Sequence, residues 1–519
     1  MLRKEIILPL WLVFGPQCSW AQALCATCHP KEVAAYLSSF MGRSIGVPDR
    51  MAPGRISDSQ SGSIIRAEWR NGKMFHTLSE DGIDAEYEIS YRIGAGKVGY
   101  SYAARVGDFL LQSPASYFKK YGWDVSPGFA GAELLDFNRV LSNRCLFCHS
   151  NARGSPNGRG LNGQELSSIG CERCHGDTSE HVRHPSPENI VNPARLPVRA
   201  RDSVCEQCHL EGLARILNPG KALYDFKPGM NLETVLAIYL VKQASPRVKA
   251  VSQQEQLATS KCSQSSNGKL WCGTCHNPHS SATNRSAEIR TICTSCHTSI
   301  SPSIHSRVSE CTTCHLPQSA ISDVAHAAIT DHRILAKPDT ADRAALARSE
   351  EIRAWYEPNP DFQQRDLALA YLEIGENSGN RRHVDLGGKL LASLPVSQQH
   401  DDASVNVALG NIALSEGQPE EAATFFRRAS YLDASSARFA MLLGVALKQN
   451  GHSEEAIREL RRAVQLDPSL ERSYLEISSL YAKEGKLKEA REILDEFLKW
   501  NPKSILVRLT RNTLAGGKN

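Results

Sequence analysis

The motif Cys-x-x-Cys-His occurs seven times in this chain of 519 residues and uses fourteen of its sixteen cysteines. We number the copies 1 to 7 along the chain. Their cysteine pairs are Cys25 and Cys28, Cys145 and Cys148, Cys171 and Cys174, Cys205 and Cys208, Cys272 and Cys275, Cys293 and Cys296, and Cys311 and Cys314. The histidines that directly follow these pairs are His29, His149, His175, His209, His276, His297 and His315.

The spacing within each motif suits covalent attachment of haem. Two thiols separated by two residues lie about one helical turn apart and can add to the two haem vinyl groups as thioethers. The next residue, His, can then bind the iron as its proximal ligand. Zinc ribbons and disulfides also use Cys-x-x-Cys pairs, but neither requires the adjacent His. The sequence therefore predicts seven covalently bound haem c groups.

The residue on the far side of each iron decides between electron transfer and catalysis. Histidines outside both the motifs and the C-terminal repeat region are the first candidates for this distal position, namely His181, His279, His332, His305, His326, His76 and His184. His181 lies six residues after His175, and His279 lies three after His276. Such short segments can hardly wrap around the adjacent macrocycle, so we expect each of these two histidines to bind a neighbouring haem.

Met41 is a further distal candidate. Apolar spacing predicts a helix over Lys31–Ser44, and Met41 lies twelve residues after His29, roughly 18 Å away if the helix is continuous. It would then serve a haem other than that of motif 1, where a Met ligand raises the potential relative to His. Core packing on an amphipathic helix is the alternative. Outside the motifs, Cys262 is predicted to be a buried structural thiol.

Residues 1–23 have the pattern of a secretory signal peptide. Arg3 and Lys4 precede an apolar stretch too short to span a bilayer, and Ala21-Gln22-Ala23 is a small-x-small cleavage site. A membrane anchor is the alternative. We expect cleavage after Ala23 and a periplasmic or otherwise secreted mature chain. The net charge of +4 favours no nucleic-acid partner.

The chain divides into regions that differ in residue composition and in the spacing of apolar residues. We expect a multihaem cytochrome c domain at 24–340 with a β-rich insertion at about 60–125, where alternating apolar residues and turns occur. Aliphatic residues are sparse around motifs 2 to 7, and haem would supply the missing apolar bulk. A linker at 341–360 follows, and it overlaps a charged, Ala-rich stretch at 336–351. The fold class is therefore mainly α with a small β insertion.

A 34-residue period marks the C-terminal region, where Gly417, Gly451 and Gly485 recur at this interval. Ala422, Ala456 and Ala490 repeat in the same register. This is the tetratricopeptide pattern and predicts an α-solenoid at 361–512, with a degenerate first unit at 361–394. Such arrays usually bind protein segments, and a purely capping role is the alternative.

The chain resembles bacterial multihaem c-type cytochromes related to the tetrahaem cytochrome of nitrifiers, in the subgroup with C-terminal tetratricopeptide repeats. The stretches that carry the resemblance begin at Cys25, Gly170, Cys272 and Thr330, and the last reads Thr-Asp-His-Arg-Ile. The resemblance implies that His181 and His279 are distal ligands, and that His332 is another. Many relatives have His where this chain has Met41.

These observations favour a secreted electron carrier that relays electrons between redox partner proteins. The repeats would bind a protein or peptide, and membrane contact would occur only through a partner. The alternative is a multihaem oxidoreductase that acts on a small nitrogen or sulfur compound at one open or Met-ligated haem. The sequence identifies no catalytic residue.

Overall fold

The computed structural model describes residues 20–152, 160–161, 163–241, 248–280, 286–299, 310–335 and 351–516. Most of the expected signal peptide, His305 and nearly all of the stretch at 336–351 lie outside these ranges. Helix α1 (Trp20–Ala26) runs through the expected cleavage site after Ala23 and into motif 1. Among the described residues, no helix has the length and apolar character needed to cross a bilayer.

Helix α2 (Pro30–Ser38) follows motif 1 and is shorter than the sequence predicts. The backbone at Ser39 is extended, and the Ser39 hydroxyl accepts a hydrogen bond from the Gly42 amide at 3.0 Å. Serine competes with helical bonding in this way because its side chain can satisfy a nearby backbone group. Met41 begins a separate 3-10 turn, so the expected continuous helix over Lys31–Ser44 is wrong.

A nine-stranded antiparallel sheet occupies the region between motifs 1 and 2. Its strands pair in the order β2-β3-β4-β5-β6-β8-β9, with β1 on β5 and β7 on β6. The strand bounds are β1 Ile45–Gly46, β2 Gly54–Ser57, β3 Ile64–Arg70, β4 Lys73–Glu80, β5 Ile83–Ile93, β6 Gly99–Val106, β7 Phe109–Gln112, β8 Ala115–Phe118 and β9 Gly122–Val125.

This sheet is larger than the small insertion that the sequence predicts, and that part of the predicted fold class is wrong. Alternate residues of β3 to β6 point into one core, where Leu78 and Tyr102 are fully buried. The Trp123 indole donates to the Ala52 carbonyl at 2.9 Å, which brings β9 close to β2 and nearly closes the sheet. Proline residues around β2 interrupt the alternation of apolar and polar residues, so the sequence pattern does not predict the first two strands.

Short helices joined by loops carry motifs 2 to 7. In chain order they are α3 Asn143–His149, α4 Glu172–His175, α5 Ser179–Arg183, α6 Val198–His209, α7 Gln253–Thr259, α8 Lys261–Ser265, α9 Cys272–Cys275, α10 Ser286–Cys296 and α11 Cys311–His315. A small sheet has the order β10 (Ala214–Leu217), β11 (Leu236–Val241) and β14 (Ile352–Ala354), and β12 (Gln318–Ala320) pairs with β13 (Ala328–Thr330).

Antiparallel helix pairs form the C-terminal array. The helices are α12 Gln363–Ser378, α13 Arg381–Ala392, α14 Val396–Asp401, α15 Ala403–Ser415, α16 Pro419–Leu432, α17 Ala437–Gln449, α18 Ser453–Leu466, α19 Glu471–Lys483, α20 Leu487–Trp500 and α21 Ile505–Gly516. The three periodic alanines are fully buried where neighbouring helices pack, which explains why a side chain no larger than methyl recurs there.

The array contacts the rest of the molecule at both ends. At its start, Tyr371 of α12 belongs to one buried cluster with Ile216 and Tyr239 of the small sheet. At its end, the buried Asp136 carboxylate accepts hydrogen bonds from the first two backbone amides of α21, at 2.9 and 3.1 Å. The Tyr87 hydroxyl also donates to the Asn501 side chain at 3.0 Å. The large sheet and the last helix therefore share a core.

Replacing Gly444 by alanine is expected to destabilise the array. A methyl group at Gly444 would lie 2.6 Å from Cγ of Leu460 and 3.2 Å from the Ala456 carbonyl oxygen. Overpacking of this kind costs about 1–3 kcal/mol, which exceeds the gain in helix propensity of about 1 kcal/mol. Thermal unfolding followed at the helical circular-dichroism band should show a lower midpoint.

Gly388→Ala is the matched control for this prediction. Its methyl group would meet Cδ1 of Ile412 at 3.4 Å, which is an ordinary contact. The midpoint should therefore stay the same or rise slightly. Equal destabilisation by both substitutions would contradict the packing explanation.

Candidate haem centres

The motifs share a local backbone conformation, which is a single helical turn. Within motifs 1, 3, 5 and 6, for example, the His amide donates to the carbonyl of the first cysteine at 2.8–2.9 Å, which closes one helical turn. The two cysteines consequently project from the same short turn. All fourteen motif cysteines are free thiols in the structure.

The zinc alternative also finds no support in the geometry. Within the ranges that the structure describes, no group of three or more His, Cys, Asp or Glu side chains is arranged to hold a metal ion. A structural zinc site needs four such ligands around one point.

Three motif histidines each lie opposite a histidine from another part of the chain. The ring centroids of His29 and His181 are 6.3 Å apart, with an interplanar angle of 17°. The His175 and His279 rings are 5.9 Å apart at 6°. The third pair, His276 and His332, is 6.1 Å apart at 26°. Two imidazoles that bind one metal from opposite sides at about 2 Å each have centroids roughly 6 Å apart, so all three pairs fit a shared iron.

Hydrogen bonds hold one ring of each pair in the form that binds iron. Nδ1 of His175 lies 2.8 Å from the Val191 carbonyl oxygen, and Nδ1 of His332 lies 2.8 Å from that of Thr330. Nδ1 of His181 lies 3.0 Å from the Ser186 carbonyl oxygen. A carbonyl can only accept, so Nδ1 carries the proton and Nε2 keeps its lone pair for a metal.

Burial also favours the neutral imidazole at several of these positions. It lowers the pKa of His149, His209, His279 and His332, because the charged form is poorly solvated there. A neutral ring is the form that coordinates a metal. The residues present therefore fit haem in both their hydrogen bonding and their protonation.

The remaining distal candidates have other surroundings. His76 is fully buried in the large sheet, where its Nδ1 lies 2.7 Å from the Ser113 hydroxyl and burial lowers its pKa to about 3. Nε2 of His326 lies 2.5 Å from a carboxylate oxygen of Asp124. His184 is exposed at the end of α5. In the described residues, none of these three rings faces a motif histidine.

Cysteines of different motifs lie close together in pairs. The neighbouring Cys171 thiol lowers the pKa of Cys25 to about 7. Equivalent contacts join motifs 2 and 4, motifs 4 and 5, and motifs 6 and 7, through Cys148 with Cys208, Cys205 with Cys272, and Cys293 with Cys311. Thioether formation replaces the thiol proton of each cysteine with a bond to haem. Haems attached to paired motifs would therefore be bonded to cysteines that lie close together.

Cys28 and Cys314, the second cysteines of motifs 1 and 7, are placed differently from the cysteines in these sulfur contacts. Cys28 is exposed, and its sulfur accepts a hydrogen bond from the Thr27 hydroxyl at 3.7 Å. Cys314 lies half-buried in α11. Both are free thiols, as are the other motif cysteines, and thioether attachment at all fourteen is predicted from the motif.

Electrostatic proximity links the motif pairs into one series. Cys174 of motif 3 lies within interaction range of both cysteines of motif 4. Cys275 of motif 5 is similarly close to Cys293 of motif 6. Motif 4 consequently neighbours motifs 2, 3 and 5, and the order from one end is 1, 3, 4, 5, 6 and 7 with motif 2 beside motif 4.

Buried charges surround motif 4. The Arg215 guanidinium donates to the carbonyls of Leu210 and Gln207 at 3.2 and 3.0 Å, and burial lowers its pKa. Glu206, between the two cysteines, is fully buried and its pKa is raised by burial. It accepts hydrogen bonds from the Trp355 indole at 3.1 Å and the Tyr356 hydroxyl at 2.5 Å. These aromatic residues immediately precede the repeat array, so motif 4 is attached to its base.

The sequence reasoning missed a polar contact made by Gln256 of α7. Its buried side chain accepts a hydrogen bond from the His332 amide at 2.7 Å. Glutamine has no motif signature, and α7 is separated from His332 along the chain. Only the tertiary fold brings these groups together.

Comparison with known families agrees with this arrangement. A family model described as cytochrome c554 and c-prime matches residues 132–176, and one for a doubled CXXCH motif matches 265–301. Tetratricopeptide models match 407–471 and 471–504. The chain has the features of a multihaem cytochrome with tetratricopeptide repeats. Its CXXCH motifs indicate covalently bound haem c and electron transfer, and its repeats indicate protein interaction.

Solved structures with similarity to part of this chain include two MamA proteins and a PilF protein. MamA is 21% identical, with 28% of this chain and 84% of that chain covered and a TM-score of 0.25. PilF of Pseudomonas aeruginosa is 23% identical, with 29% and 69% covered and a TM-score of 0.26. MamA of Desulfovibrio magneticus is 19% identical, with 27% and 76% covered and a TM-score of 0.24. A search of curated proteins finds no significant match.

Proposed function

We propose that this chain is a periplasmic or otherwise secreted heptahaem cytochrome c that relays electrons between redox partner proteins. The observation that supports this most is the connected series of seven motifs, three of which already have a second histidine opposite the proximal one. We also propose kinship with the nitrifier tetrahaem cytochromes, in the subgroup that carries repeats. Haem, when bound, supplies an iron that changes oxidation state by one electron.

The proposed axial ligands follow from the ring pairs. His29 and His181 would hold the iron of motif 1, His175 and His279 that of motif 3, and His276 and His332 that of motif 5. The two histidines of each pair belong to separate segments of the chain, so each haem fixes one segment against another. Two imidazoles leave no open position for a substrate, which favours electron transfer over catalysis at these three centres.

The repeat domain, proposed at 361–512, would hold the partner protein. The proposed cytochrome domain at 24–340 and linker at 341–360 precede it. Just before its first helix, Trp355 and Tyr356 donate hydrogen bonds to Glu206 of motif 4. A partner bound to the array would therefore be near motif 4, which neighbours motifs 2, 3 and 5. The expected signal peptide supports export, which c-type haem attachment in bacteria accompanies.

Removing the haem of motif 5 should divide the relay. In the double substitution Cys272→Ala and Cys275→Ala, mass spectrometry of the secreted protein should count six haems instead of seven. After flash photoreduction with less than one electron per molecule, redistribution among the haems should slow at least about a hundredfold, because motif 5 joins motif 4 to motif 6. Cys262→Ser is the matched control and should keep seven haems and the original rate.

Two results would contradict the proposal. A wild-type count below seven would remove the heptahaem assignment. Unchanged redistribution in a properly folded six-haem variant would show that the series is not the electron path. Far-ultraviolet circular dichroism establishes that the fold is retained.

A second candidate function is oxidoreduction of a small nitrogen or sulfur compound. The observation that favours it is that, within the described residues, no imidazole lies opposite His149 or His209. Met41 stays a candidate ligand for one such centre. Nitrite or hydroxylamine added to the reduced protein should perturb the spectrum of one haem under this alternative and of none under the relay.

A further inference from the structure

We propose that Asn189, in the loop at 184–191, is a positioning residue that orients the His181 ring and lowers the redox potential of the haem of motif 1. The inference rests on the proposed function, because it requires haem at motif 1 with His181 as its distal ligand. The loop lies between α5 and α6. It contacts proposed iron ligands of two motifs, since it also accepts a hydrogen bond from the ring of His175 in motif 3.

Neighbouring groups fix the orientation of the Asn189 amide. Its Nδ2 lies 2.6 Å from the His184 carbonyl oxygen, which can only accept, so the amide nitrogen must face that carbonyl. The amide oxygen Oδ1 is then turned toward His181, where it lies 3.1 Å from Nδ1. Because an amide oxygen also only accepts, this contact requires the proton on Nδ1 of His181. The lone pair on Nε2 is left for iron.

The Nδ1 proton of His181 has two acceptors. The Ser186 carbonyl oxygen lies 3.0 Å from the same nitrogen, so Asn189 and Ser186 share one donor in a three-centre hydrogen bond. Two acceptors restrict rotation of the ring more than one would, and the ring faces that of His29 at 17°. Removing the Asn189 side chain leaves the Ser186 contact in place, so His181 should stay bound to iron.

The loop that carries Asn189 is itself held at its far end. The Val191 amide donates to the His175 carbonyl at 3.3 Å, and Nδ1 of His175 donates to the Val191 carbonyl at 2.8 Å. Pro185 and Pro187 restrict the backbone on both sides of Ser186. The Asn189 oxygen is therefore presented by a restrained segment, which lets it direct the ring instead of following it.

This contact should act on the haem potential. An acceptor on Nδ1 makes an imidazole a stronger donor to iron and favours the ferric state. Asn189 should therefore lower the potential of the motif 1 haem. Since motif 3 is next in the series, a lower potential at motif 1 favours electron transfer from motif 1 to motif 3.

Spectroelectrochemical titration of the full-length holoprotein tests the inference. Asn189→Leu removes one acceptor and should raise the midpoint potential of one haem, while electron paramagnetic resonance still shows that haem as low-spin. Asn189→Asp keeps an acceptor of nearly the same shape and adds negative charge, so it should lower the same potential below the wild-type value. Shifts in opposite directions would not follow from a merely structural role.

Asn192→Asp is the matched control for the added charge. Asn192 is an exposed asparagine directly after the loop, and its side chain accepts a hydrogen bond from the Ala194 amide at 3.1 Å. Aspartate can keep this capping contact. The variant places the same charge three residues from position 189 and should leave all potentials unchanged.

A double-mutant cycle shows whether Asn189 acts through the His181 ring. Asn189→Asp added to His181→Ala should cause no further shift, because the ring that transmits the effect is gone. Shifts of one sign or no shift in the two Asn189 variants would overturn the inference, as would an equal shift in Asn192→Asp or a shift that persists without His181. Failure of the proposed function is distinguishable, because it would appear as a haem missing from the wild-type protein or as no high-spin signal in His181→Ala.

Discussion

Replacing His279 by alanine should convert one haem from low-spin to high-spin and leave the signals of the others unchanged. The His279 ring lies 5.9 Å from that of His175 at an angle of 6°. His175 is the last residue of α4, whereas His279 lies four residues after the end of α9, so the two belong to different segments. Alanine removes the imidazole without a substitute within reach. Added imidazole should enter the vacated space and restore the low-spin signal.

His181→Ala and His332→Ala should behave in the same way, each at a different haem. His184→Ala is the matched control because His184 is exposed and lies three residues from His181. It should leave all spin states unchanged. A high-spin signal in the control, or none in the other three variants, would refute the proposed ligand pairs. Magnetic circular dichroism in the near infrared reports the ligand type directly.

Acidic conditions should strengthen the attachment between the repeat array and the large sheet. Burial raises the pKa of Glu471 to about 7, and the nearby Asp136 carboxylate adds to the shift. The Glu471 side chain accepts a hydrogen bond from the Ser504 hydroxyl at 2.6 Å. Folding therefore favours the protonated acid, whose unfolded pKa is near 4.5. Its stabilising contribution is complete below about pH 4.5 and is lost as the pH rises through about 7.

Glu471→Gln should abolish this dependence. The glutamine keeps a neutral polar group in place, so the variant should be more stable than wild type at pH 8 by about 3 kcal/mol and similar to it at pH 4.5. Thermal unfolding at several pH values measures the difference. Glu492→Gln replaces an exposed carboxylate on α20 and should leave the pH profile unchanged. A wild-type midpoint that rises between pH 5 and 8, with no change in the Glu471 variant, would contradict the prediction.

The sequence predicts those parts of the molecule that depend on local spacing. The motif positions, the 34-residue period and the placing of His181 and His279 beyond the reach of their own macrocycles all follow from distances along the chain. The ligand pairs themselves need tertiary structure. His332 lies 56 residues after His276, and no local rule connects the two.

Features that depend on competition between local and distant contacts were not predictable. The helix after motif 1 ends early because the Ser39 hydroxyl bonds to the Gly42 amide, whereas apolar periodicity alone would continue it to Ser44. The first strands of the sheet are short and lie among prolines, so alternation gives them no signal. The hydrogen bond between Gln256 and the His332 amide becomes visible only in the tertiary structure, because the two residues lie far apart along the chain.

The repeat array is attached to the rest of the molecule at both ends, which limits how far it can bend. One joint is the Glu206 carboxylate with Trp355 and Tyr356, and the other is Asp136 at the start of α21. A solenoid attached at one end can change its curvature freely. Any change in the curvature of this array would instead strain the contacts at both of its ends. A partner that bends the repeats would therefore exert force on motif 4 at one end and on the sheet at the other. Docking and redox properties would then share a mechanical link.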